Sequence, residues 1–594
     1  MTLHTDLRPG AMPDAADKHS PIFSTPRLSG ASGRIAARRD LVSFALAFVL
    51  MLFAGLARAQ STATSWVAAL KGTTPAATAP VTTADARRFL EQSSFGPTAA
   101  EVLRVQQLGL LAYLQDQFAK PASGYPGYVY TNSNSSVGCP PGSPATCSRD
   151  NYSLFQLQRK FFVNAVSGED QLRQRVAFAL SQILVVSGMK IPLPYAMANY
   201  QQVLLNDAFG NFRTLLDDVT LSPAMGRYLD MVNNNVAPPG GATGANENYA
   251  RELLQLFTLG LVQLNPDGST KLDANGQAIP SYTQDNIEDF AKVFTGWTFA
   301  PLPGQLAKWV DPENYGANMV AIEAHHDQTA KTLLNGFVVP AGGTAASDLK
   351  AALDNVFAQP NVGPFICRQL IQHLVTSNPS AAYVQRVAAV FANDGAGVRG
   401  NMKAVITQIL LDSEARGDSK SDPSFGKLRE PALFLAGMLR MMGGTTDGVF
   451  PLWQSNAMEQ NIFDAPTVFS YYPPGYTLPG STLSAPPFAL FDTASAVLRA
   501  NVINRLLSGP VAPDPSVSGA TGTQIDLTAW QASANSAVML TNQINQVLFH
   551  NTMPLDMALV LMQAINAVPS VDLFNRTRAA LYLAFSSAQY QVEQ

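Results

Sequence analysis

Apolar residues recur along most of this chain at the spacing of a helix face. Between residues 171 and 186, the sequence QLRQRVAFALSQILVV carries one apolar stripe with polar positions beside it. That stripe consists of Leu172, Val176, Leu180, Ile183 and Leu184. The same period predicts helices over residues 151–187, 207–219, 246–259, 284–294, 346–357, 362–376, 381–392, 401–411 and 431–442.

One stretch breaks the helical period. Residues 261–283, LVQLNPDGSTKLDANGQAIPSYT, contain Pro-Asp-Gly and Asn-Gly, which form tight turns between antiparallel strands. No unit of about 20 to 50 residues repeats along the chain, which argues against a solenoid. We therefore predict an all-α fold: a large multi-helix globular body with minor β-hairpin insertions.

An apolar run near the start of the chain predicts export. Residues 41–56 are apolar, follow a pair of arginines and precede the small-residue triplet Ala-Arg-Ala. This order is that of a signal peptide, with cleavage before Gln60. We therefore expect a periplasmic or secreted protein with no stable membrane span after cleavage. An uncleaved anchor is the alternative, and the arginine pair leaves twin-arginine export open beside the general route.

Composition shifts along the chain suggest its organisation. We predict a signal peptide over 1–59, a flexible lead-in over 60–84 and a main helical domain over 85–505. A linker rich in Pro, Ser and Gly over 506–525 then precedes a C-terminal helical segment over 526–594.

Charge and hydropathy limit the classes of partner. Charged residues make up only 14% of the 594 residues, and the formal net charge is −4. Nucleic acid is not expected as a partner, because neutralising phosphates needs clustered Lys and Arg, which this chain lacks. Hydrophobic residues reach 47%, which is ample for a large core.

The predicted export to an oxidising compartment bears on the cysteines. Cys139 and Cys147 flank the loop CPPGSPATC, and in such a compartment this spacing predicts a local disulfide. Cys367 lies in FICRQLIQHLV and reads as a buried thiol without a redox role.

The first group with candidate chemistry is NENYARELLQLFTLG, residues 246–260. Glu247 and Arg251 fall four residues apart, and Glu252 follows directly. In a functional interpretation, Glu247 or Glu252 is a general acid or base tuned by Arg251. In a structural interpretation, Asn246 caps the helix and the charged residues form surface pairs. Spacing alone leaves both open.

The second group is AHHDQTAKTLLNG, residues 324–336. It gathers His325, His326, Asp327 and Lys331, residue types that ligate metals or pair a base with an orienting carboxylate. Adjacent side chains point in different directions, which disfavours one ion held by both imidazoles. The structural alternative is a helix cap formed by Asp327.

Weaker candidates lie further along the chain. His373 falls on the apolar face of its helix, which favours a core histidine, and His550 ends a helix. The aromatic loop TVFSYYPPGYTLPG, residues 467–480, offers flat faces for sugar rings or peptides, or packs its own rings onto the core. No GxSxG elbow, HExxH, P-loop or strand-linked GxGxxG motif is present, which argues against the standard enzymes that carry them.

Several ordered blocks carry a family resemblance. They are RRFLEQSSFGPT, QLRQRVAFALSQILVVS, YLDMVNNN, NENYARELLQLFTLGL, YTQDNIEDFAKVFTGW, HHDQTAKTLLNG, NVGPFICRQLIQHLVTSNPS, GVRGNMKAVITQILLDSEAR and KLREP. Over roughly residues 84–500, including the aromatic loop, the chain resembles the bacterial domain-of-unknown-function family 1800.

The resemblance implies a location and a shared site, but no reaction. Family members look exported and are often encoded beside a sulfatase-like partner whose role is equally unknown. The residues that match the family blocks are Asn246, Glu247, Asn248, Arg251, Glu252, His326, Asp327, Lys331, Arg368, Arg429 and Glu430. Ser470 departs from the pattern, because the family more usually has Asn after the Phe of the aromatic block.

These observations lead to one functional expectation and two alternatives. We expect a hydrolase or lyase that acts on an envelope or extracellular polymer by acid/base chemistry with Glu247 or Glu252. Arg251 and Lys331 would bind anionic groups, and His326 with Asp327 would form a second proton-handling pair. The alternatives are a scaffold or binding module for a secreted partner, and a metal- or cofactor-binding protein. The sequence names no particular cofactor.

Overall fold

The computed structural model describes residues 80–238, 244–310, 312–418, 422 and 424–594. The predicted signal peptide and all but the last five residues of the predicted lead-in lie outside these residues. Within them, no helix is long and apolar enough to cross a membrane.

Helices form the body of the described protein, which confirms the predicted fold class. In the first half of the chain they are α1 (Thr83–Ser93), α2 (Ala99–Leu108), α3 (Leu110–Ala119), α4 (Ser135–Gly138), α5 (Cys147–Asn151), α6 (Phe155–Ser167), α7 (Gln171–Ile183), α8 (Pro194–Asp207), α9 (Phe212–Leu221), α10 (Pro223–Tyr228), α11 (Asn248–Glu252) and α12 (Gln284–Val293). A π-helix, Leu253–Thr258, continues α11.

The second half of the chain is equally helical. Its helices are α13 (Ala345–Phe357), α14 (Val362–Leu374), α15 (Ala381–Ala392), α16 (Met402–Leu411), α17 (Ser413–Arg416), α18 (Pro431–Met441), α19 (Val449–Ala457), α20 (Thr493–Leu507), α21 (Thr528–Gln531), α22 (Ala537–Leu548), α23 (Leu555–Asn566), α24 (Leu573–Ser586) and α25 (Ala588–Gln591). Short 3₁₀ turns occupy Glu323–His325, Leu334–Gly336 and Pro486–Leu490.

The described strands are two residues long and pair antiparallel. They are β1 (Trp297–Thr298) with β2 (Val320–Ala321), β3 (Lys331–Thr332) with β4 (Val338–Val339), β5 (Lys427–Leu428) with β8 (Val592–Glu593), and β6 (Thr445–Thr446) with β7 (Thr523–Gln524). In the predicted hairpin region, isolated bridges join Leu264 to Thr270 and Leu272 to Ala278. The β-structure is therefore minor, as predicted.

Helix α7 is a central element of the core. Eleven of its thirteen residues are buried, and α3, α6, α8 and α14 pack around it. The predicted helix over 151–187 is divided here, because α6 ends at Ser167 and α7 begins at Gln171. Between them, the side chain of Gln171 donates to the carbonyl oxygens of Asn164 and Gly168, which holds the two helices in a tight corner.

The C-terminal helices belong to the same compact unit as the rest of the described chain. Part of the predicted linker, 506–525, forms β7 and pairs with β6. The Asp447 carboxylate accepts hydrogen bonds from the backbone N–H groups of Thr521 and Gly522. Helix α24 packs on α20, and α22 packs on α1. Backbone pairing and these packed faces join the residues on either side of 506–525.

Buried charges also connect α1 with β8. Arg429 lies 2.9 Å from Glu91 and 3.8 Å from Glu593, measured between guanidinium nitrogens and carboxylate oxygens, and all three side chains are buried. His550 Nε2 lies 3.0 Å from the second oxygen of Glu91. Burial alone would raise the pKa of Glu91, but Arg429 and His550 outweigh it and lower that pKa to about 2.

The cysteines are arranged as the sequence analysis expects. Cys139 and Cys147 form a disulfide between α4 and α5, with their Cα atoms 5.9 Å apart. Cys367 is a buried free thiol on α14, and burial raises its pKa. A buried thiol with a raised pKa is a poor nucleophile.

Candidate functional site

The first predicted group, around Glu247, lies at the start of α11. Asn246 accepts a hydrogen bond from the backbone N–H of Asn248, so it supports the helix start through its side chain. Arg251 donates to Glu247 at 2.8 Å, and Gln284 donates to the same carboxylate oxygen at 3.0 Å. The Glu247–Arg251 pair is partly exposed, as a surface pair one helical turn apart would be.

Glu252 occupies a different environment from Glu247. Its Oε2 atom is buried and has no hydrogen-bond partner among the described residues, and the same holds for the hydroxyl of Tyr282. Burial raises the pKa of Glu252, and the charge of Arg251 only partly opposes that shift. Burial, with a contribution from Glu252, raises the pKa of Tyr228 to about 12. The π-helix begins at the next residue, and such widened turns are frequent at functional sites.

The second predicted group is turned into the core. His326 Nδ1 lies 3.0 Å from the Thr295 carbonyl oxygen, and its Nε2 lies 3.3 Å from Asp348. Lys331 donates to the same Asp348 oxygen at 2.7 Å and to the Thr329 carbonyl at 2.9 Å. The side chains of His326 and Lys331 are wholly buried. In this structure they attach their loop to α13 and do not face a solvent-accessible site.

The two adjacent histidines point in different directions, as predicted from their spacing. His325 stacks on Trp309 with ring centroids 4.0 Å apart and contacts Asn235 through Nδ1 at 2.9 Å. The Asp327 carboxylate accepts hydrogen bonds from the backbone and hydroxyl of Thr329. Among the described residues, no three His, Cys, Asp or Glu side chains are grouped so as to hold a metal ion.

A cleft on another part of the molecule gathers residues that the sequence analysis largely left aside. It encloses about 20 Å³, which is room for about one water molecule. Helix α7 contributes one glutamine to its lining, and α14 contributes two glutamines and a histidine. The other lining residues lie in the aromatic loop and in the 3₁₀ turn Pro486–Leu490. Its lining residues are Gln182, Gln369, Gln372, His373, Phe469, Ser470, Tyr472, Pro474, Pro486 and Pro487. We call it the glutamine cleft.

Glu430 organises the polar groups beneath the glutamine cleft. This buried residue precedes α18 and accepts hydrogen bonds from the Tyr472 hydroxyl at 3.0 Å and from Gln460 at 2.5 Å. Gln182 donates to its other oxygen at 3.4 Å. Arg175, also buried, donates to the carbonyl oxygen of His373 from behind. Neither Glu430 nor Arg175 is among the lining residues, although both form hydrogen bonds with residues that are.

Three polar atoms of the lining lack partners within the described protein. They are Gln182 Oε1, Gln369 Nε2 and Ser470 Oγ. An unpaired buried polar group costs about 1–3 kcal/mol, so three in one cleft is a costly arrangement. Ser470 also has a φ of 65°, a left-handed conformation that serine rarely adopts. Unsatisfied groups and backbone strain together are characteristic of ligand sites.

The lining of the glutamine cleft is uncharged near neutral pH. Burial lowers the pKa of His373 to about 4, with Glu430 opposing and Arg175 adding to the shift. Burial and Glu430 raise the pKa of Tyr472, so its hydroxyl stays protonated. The cleft therefore suits a neutral ligand that both donates and accepts hydrogen bonds.

The family blocks were the part of the sequence that could have indicated this cleft, because its lining contains few of the residue types usually associated with catalysis. The blocks QLRQRVAFALSQILVVS, NVGPFICRQLIQHLVTSNPS, KLREP and the aromatic loop all contribute side chains to the lining or to its support. The structure brings these blocks together. His373 is buried, as a core histidine would be, yet it also lines the cleft. In the aromatic loop, Tyr472 is buried against the core and Phe469 is 43% exposed.

Comparison with known protein families identifies the family of this chain. The chain matches the model of the family described as "Protein of unknown function (DUF1800)" over residues 88–592. No curated protein and no solved structure matches it.

Proposed function

Since this chain belongs to the DUF1800 family, whose description names no reaction, we propose its function from the glutamine cleft: it binds one sugar unit of an envelope or extracellular polysaccharide. The location of that polymer rests on the predicted signal peptide. The observation that carries the proposal is the group of three unpartnered polar atoms, on Gln182, Gln369 and Ser470, in one uncharged cleft.

Sugar hydroxyls supply what these atoms lack. Each hydroxyl donates one hydrogen bond and accepts others, so a sugar ring satisfies an oxygen acceptor, an amide donor and a serine hydroxyl together. In the structure as it stands the cleft encloses about 20 Å³, which is room for about one water molecule. A sugar ring therefore enters only when the cleft widens.

The apolar lining favours a sugar over a peptide. Phe469 and the three prolines present flat apolar surfaces on which the C–H face of a pyranose packs. Extended peptides usually bind along an open strand edge, a helix groove or an aromatic polyproline groove. The lining residues described here come from two helices and irregular chain, with no strand among them.

Ligand entry requires a movement of the aromatic loop. The three unpartnered atoms are themselves shielded from solvent in this structure, and the Tyr472 ring of that loop lies 6.3 Å from the ring of His373 on α14, measured between centroids. The strained backbone at Ser470 and the unpaired groups lower the cost of opening, because the closed loop leaves them unsatisfied. When the loop opens, the hydroxyl groups of a bound sugar form the hydrogen bonds that these three polar atoms lack in the closed state.

Replacing Gln369 by leucine tests the proposal. We expect Gln369→Leu to weaken binding of a neutral oligosaccharide about tenfold, the usual effect of one net hydrogen bond to a ligand. The stability of the fold should be unchanged or higher, because the change removes an unpaired buried donor. Isothermal titration with tetramers of glucose, mannose and N-acetylglucosamine measures the first effect, and urea unfolding measures the second.

The matched control is Gln563→Leu, which makes the same change at an exposed position on α23. It should bind like the wild type. Lack of binding to all tetramers, or equal affinities for Gln369→Leu and the wild type, would refute the proposed binding function.

A second candidate function is acid/base hydrolysis or elimination on such a polymer, with Glu252 as the acid. The buried, unpartnered oxygen of Glu252 and its raised pKa favour it, because burial shifts this carboxyl group toward its neutral form, the form that donates a proton. Glu247 is less suited, since Arg251 and Gln284 hold its carboxylate at the surface. His326 and Lys331 have no role in this version, because both are buried against Asp348.

The test is a comparison of two glutamates. On any oligosaccharide that the wild type cleaves, Glu252→Gln should reduce the rate by about 10²–10⁴-fold, the usual contribution of a general acid. Glu247→Gln is the control and should stay close to the wild-type rate. Release of reducing ends or of unsaturated sugars measures cleavage, and unchanged cleavage by Glu252→Gln would end the assignment.

A further inference from the structure

We propose that the protein forms a homodimer through the exposed side of α23, with the two copies of this helix packed antiparallel about a two-fold axis. The proposal is independent of the glutamine cleft, because no residue that lines the cleft lies on α22, α23 or α24. It follows from an apolar helix surface that the described part of the chain leaves exposed, and from the positions of the polar residues on that surface.

Helix α23 buries little of its apolar surface. Of its twelve residues, LDMALVLMQAIN, only Leu561 and Ile565 are buried. The helix packs on α22 and α24. On the side turned away from the buried pair, Leu555, Leu559 and Val560 are exposed by 75%, 48% and 42%. A surface helix normally carries charged or polar side chains at such positions.

Two further apolar side chains are exposed just beyond the carboxyl end of α23. They are Val571, in the short connection to α24, and Phe574, in the first turn of α24. We call these two residues, together with Leu555, Leu559 and Val560, the α23 face. Single exposed apolar residues are ordinary, whereas a group of them on one helix and the turn that follows indicates a docking surface.

The charges around the α23 face disfavour a membrane surface. The chain contains no Lys or Arg between Arg505 and Arg576, and Asp556 is the only Asp, Glu, Lys or Arg within residues 537–571. Helices that lie on membranes usually carry Lys and Arg that meet anionic lipids. A strongly acidic or basic protein would also find little complementary charge here. An apolar, nearly uncharged surface of the same kind is the better match.

A second copy of the chain supplies that surface and pairs the polar residues as well. Asp556 and Gln563 are both exposed, and their spacing of seven residues places them two turns apart on one side of α23. A two-fold axis between Leu559 and Val560 places the Asp556 carboxylate of each copy opposite the Gln563 amide of the other. An acceptor thus meets a donor at both ends of the contact.

The same axis packs apolar side chains at the centre of the contact. It places Leu559 of one copy against Val560 of the other, so both leave water together. The two Asp556 carboxylates lie about 10 Å apart along the helix axis, where salt screens much of their repulsion. An antiparallel pair therefore has an apolar centre and hydrogen-bonded ends without a buried, unpaired charge.

Sedimentation equilibrium of the full chain tests the proposal. We expect dimers with a Kd of about 10 μM, because a contact built on one helix from each copy is small. Leu559→Glu places two carboxylates beside the axis and should weaken the dimer about 100-fold. Leu559 is half exposed, so the variant should unfold in urea like the wild type. Leu103→Glu makes the same change at an exposed position of α2 and should dimerise like the wild type.

An exchange of charges tests the antiparallel arrangement. Gln563→Glu alone places a carboxylate opposite Asp556 of the other copy and should weaken the dimer about tenfold. Adding Asp556→Lys converts both contacts into pairs of opposite charge and should restore the affinity. Within one helix the two positions are too far apart to pair, so restoration requires that they meet between copies. Gln563→Leu remains a control for sugar binding, because the α23 face and the glutamine cleft share no residue.

Each other outcome would overturn the proposal. A protein that stays monomeric at all concentrations has no such dimer. A dimer that Leu559→Glu weakens no more than Leu103→Glu is held by a different surface. Failure of Asp556→Lys to restore the affinity of Gln563→Glu would exclude the antiparallel pairing. Binding of the wild type, but not of Leu559→Glu, to vesicles of phosphatidylethanolamine and phosphatidylglycerol would assign the α23 face to a lipid surface.

Discussion

Glu91→Gln is expected to destabilise the protein by about 3–5 kcal/mol, the cost of leaving one member of a buried ion pair without its partner. The side chain of Glu91 is wholly buried against Arg429, and the fall of its pKa to about 2 shows how strongly its surroundings favour the charged form. Removing that charge leaves the Arg429 guanidinium with Glu593 at 3.8 Å as its nearest anion. Urea unfolding at neutral pH measures the loss.

A surface pair of the same chemistry provides the control. Arg104 and Asp116 make two hydrogen bonds, at 2.7 and 3.2 Å, but the arginine side chain is 47% exposed. Asp116→Asn should cost less than about 1 kcal/mol, because water screens and replaces an exposed pair. If Glu91→Gln lowers the free energy of unfolding no more than Asp116→Asn does, the buried Glu91–Arg429 pair does not stabilise the fold.

His373 should make the stability depend on pH between about 6.5 and 4. Burial lowers its pKa from 6.5 to about 4 in the folded protein, so in this window the unfolded chain binds the proton and the folded chain does not. The contribution of neutral His373 to the free energy of unfolding is fully present above about pH 6.5 and decreases as the pH falls. We expect a loss of about 2–3 kcal/mol between pH 7.5 and pH 4.5, which His373→Gln should lack.

The difference between the two proteins isolates this effect. Asp464, with its pKa raised to about 6 by burial, gains stability as the pH falls, and it titrates equally in both. Glu91, with a pKa of about 2, loses its contribution mainly below pH 4.5. Unfolding free energies at the two pH values provide the comparison, and parallel pH profiles for the wild type and His373→Gln would contradict the buried neutral histidine.

Helices were the most predictable feature, for a local reason. The helix predicted over 381–392 is α15 (Ala381–Ala392), and that over 346–357 differs from α13 (Ala345–Phe357) by one residue. Each has a hydroxyl at its N-cap, Ser380 and Thr344, that accepts a backbone hydrogen bond three residues on. Apolar period and cap are both read from neighbouring residues, so no tertiary knowledge is needed.

The sequence analysis was less informative about the candidate site, because rare residue types attract attention wherever they lie. In the sequence, His326 and Lys331 resemble catalytic or ligand-binding residues, yet both are buried against Asp348. Asp348 lies 17 positions after Lys331, and no local sequence pattern connects it to them. Glutamines rarely attract attention. Gln182 and Gln369 are nearly 190 residues apart, and only the packing of α7 on α14 places them in one cleft.

The sequence by itself determined the helical class, the local disulfide pairing of Cys139 with Cys147 and membership of the family, because period, short loops and ordered blocks are all local properties of the chain. Tertiary structure decided which polar side chains are satisfied. Whether Gln369 has a hydrogen-bond partner, or Glu91 a counter-ion, depends on groups hundreds of residues away. Burial and pairing set the energy of each polar group, and both arise only when distant helices pack together.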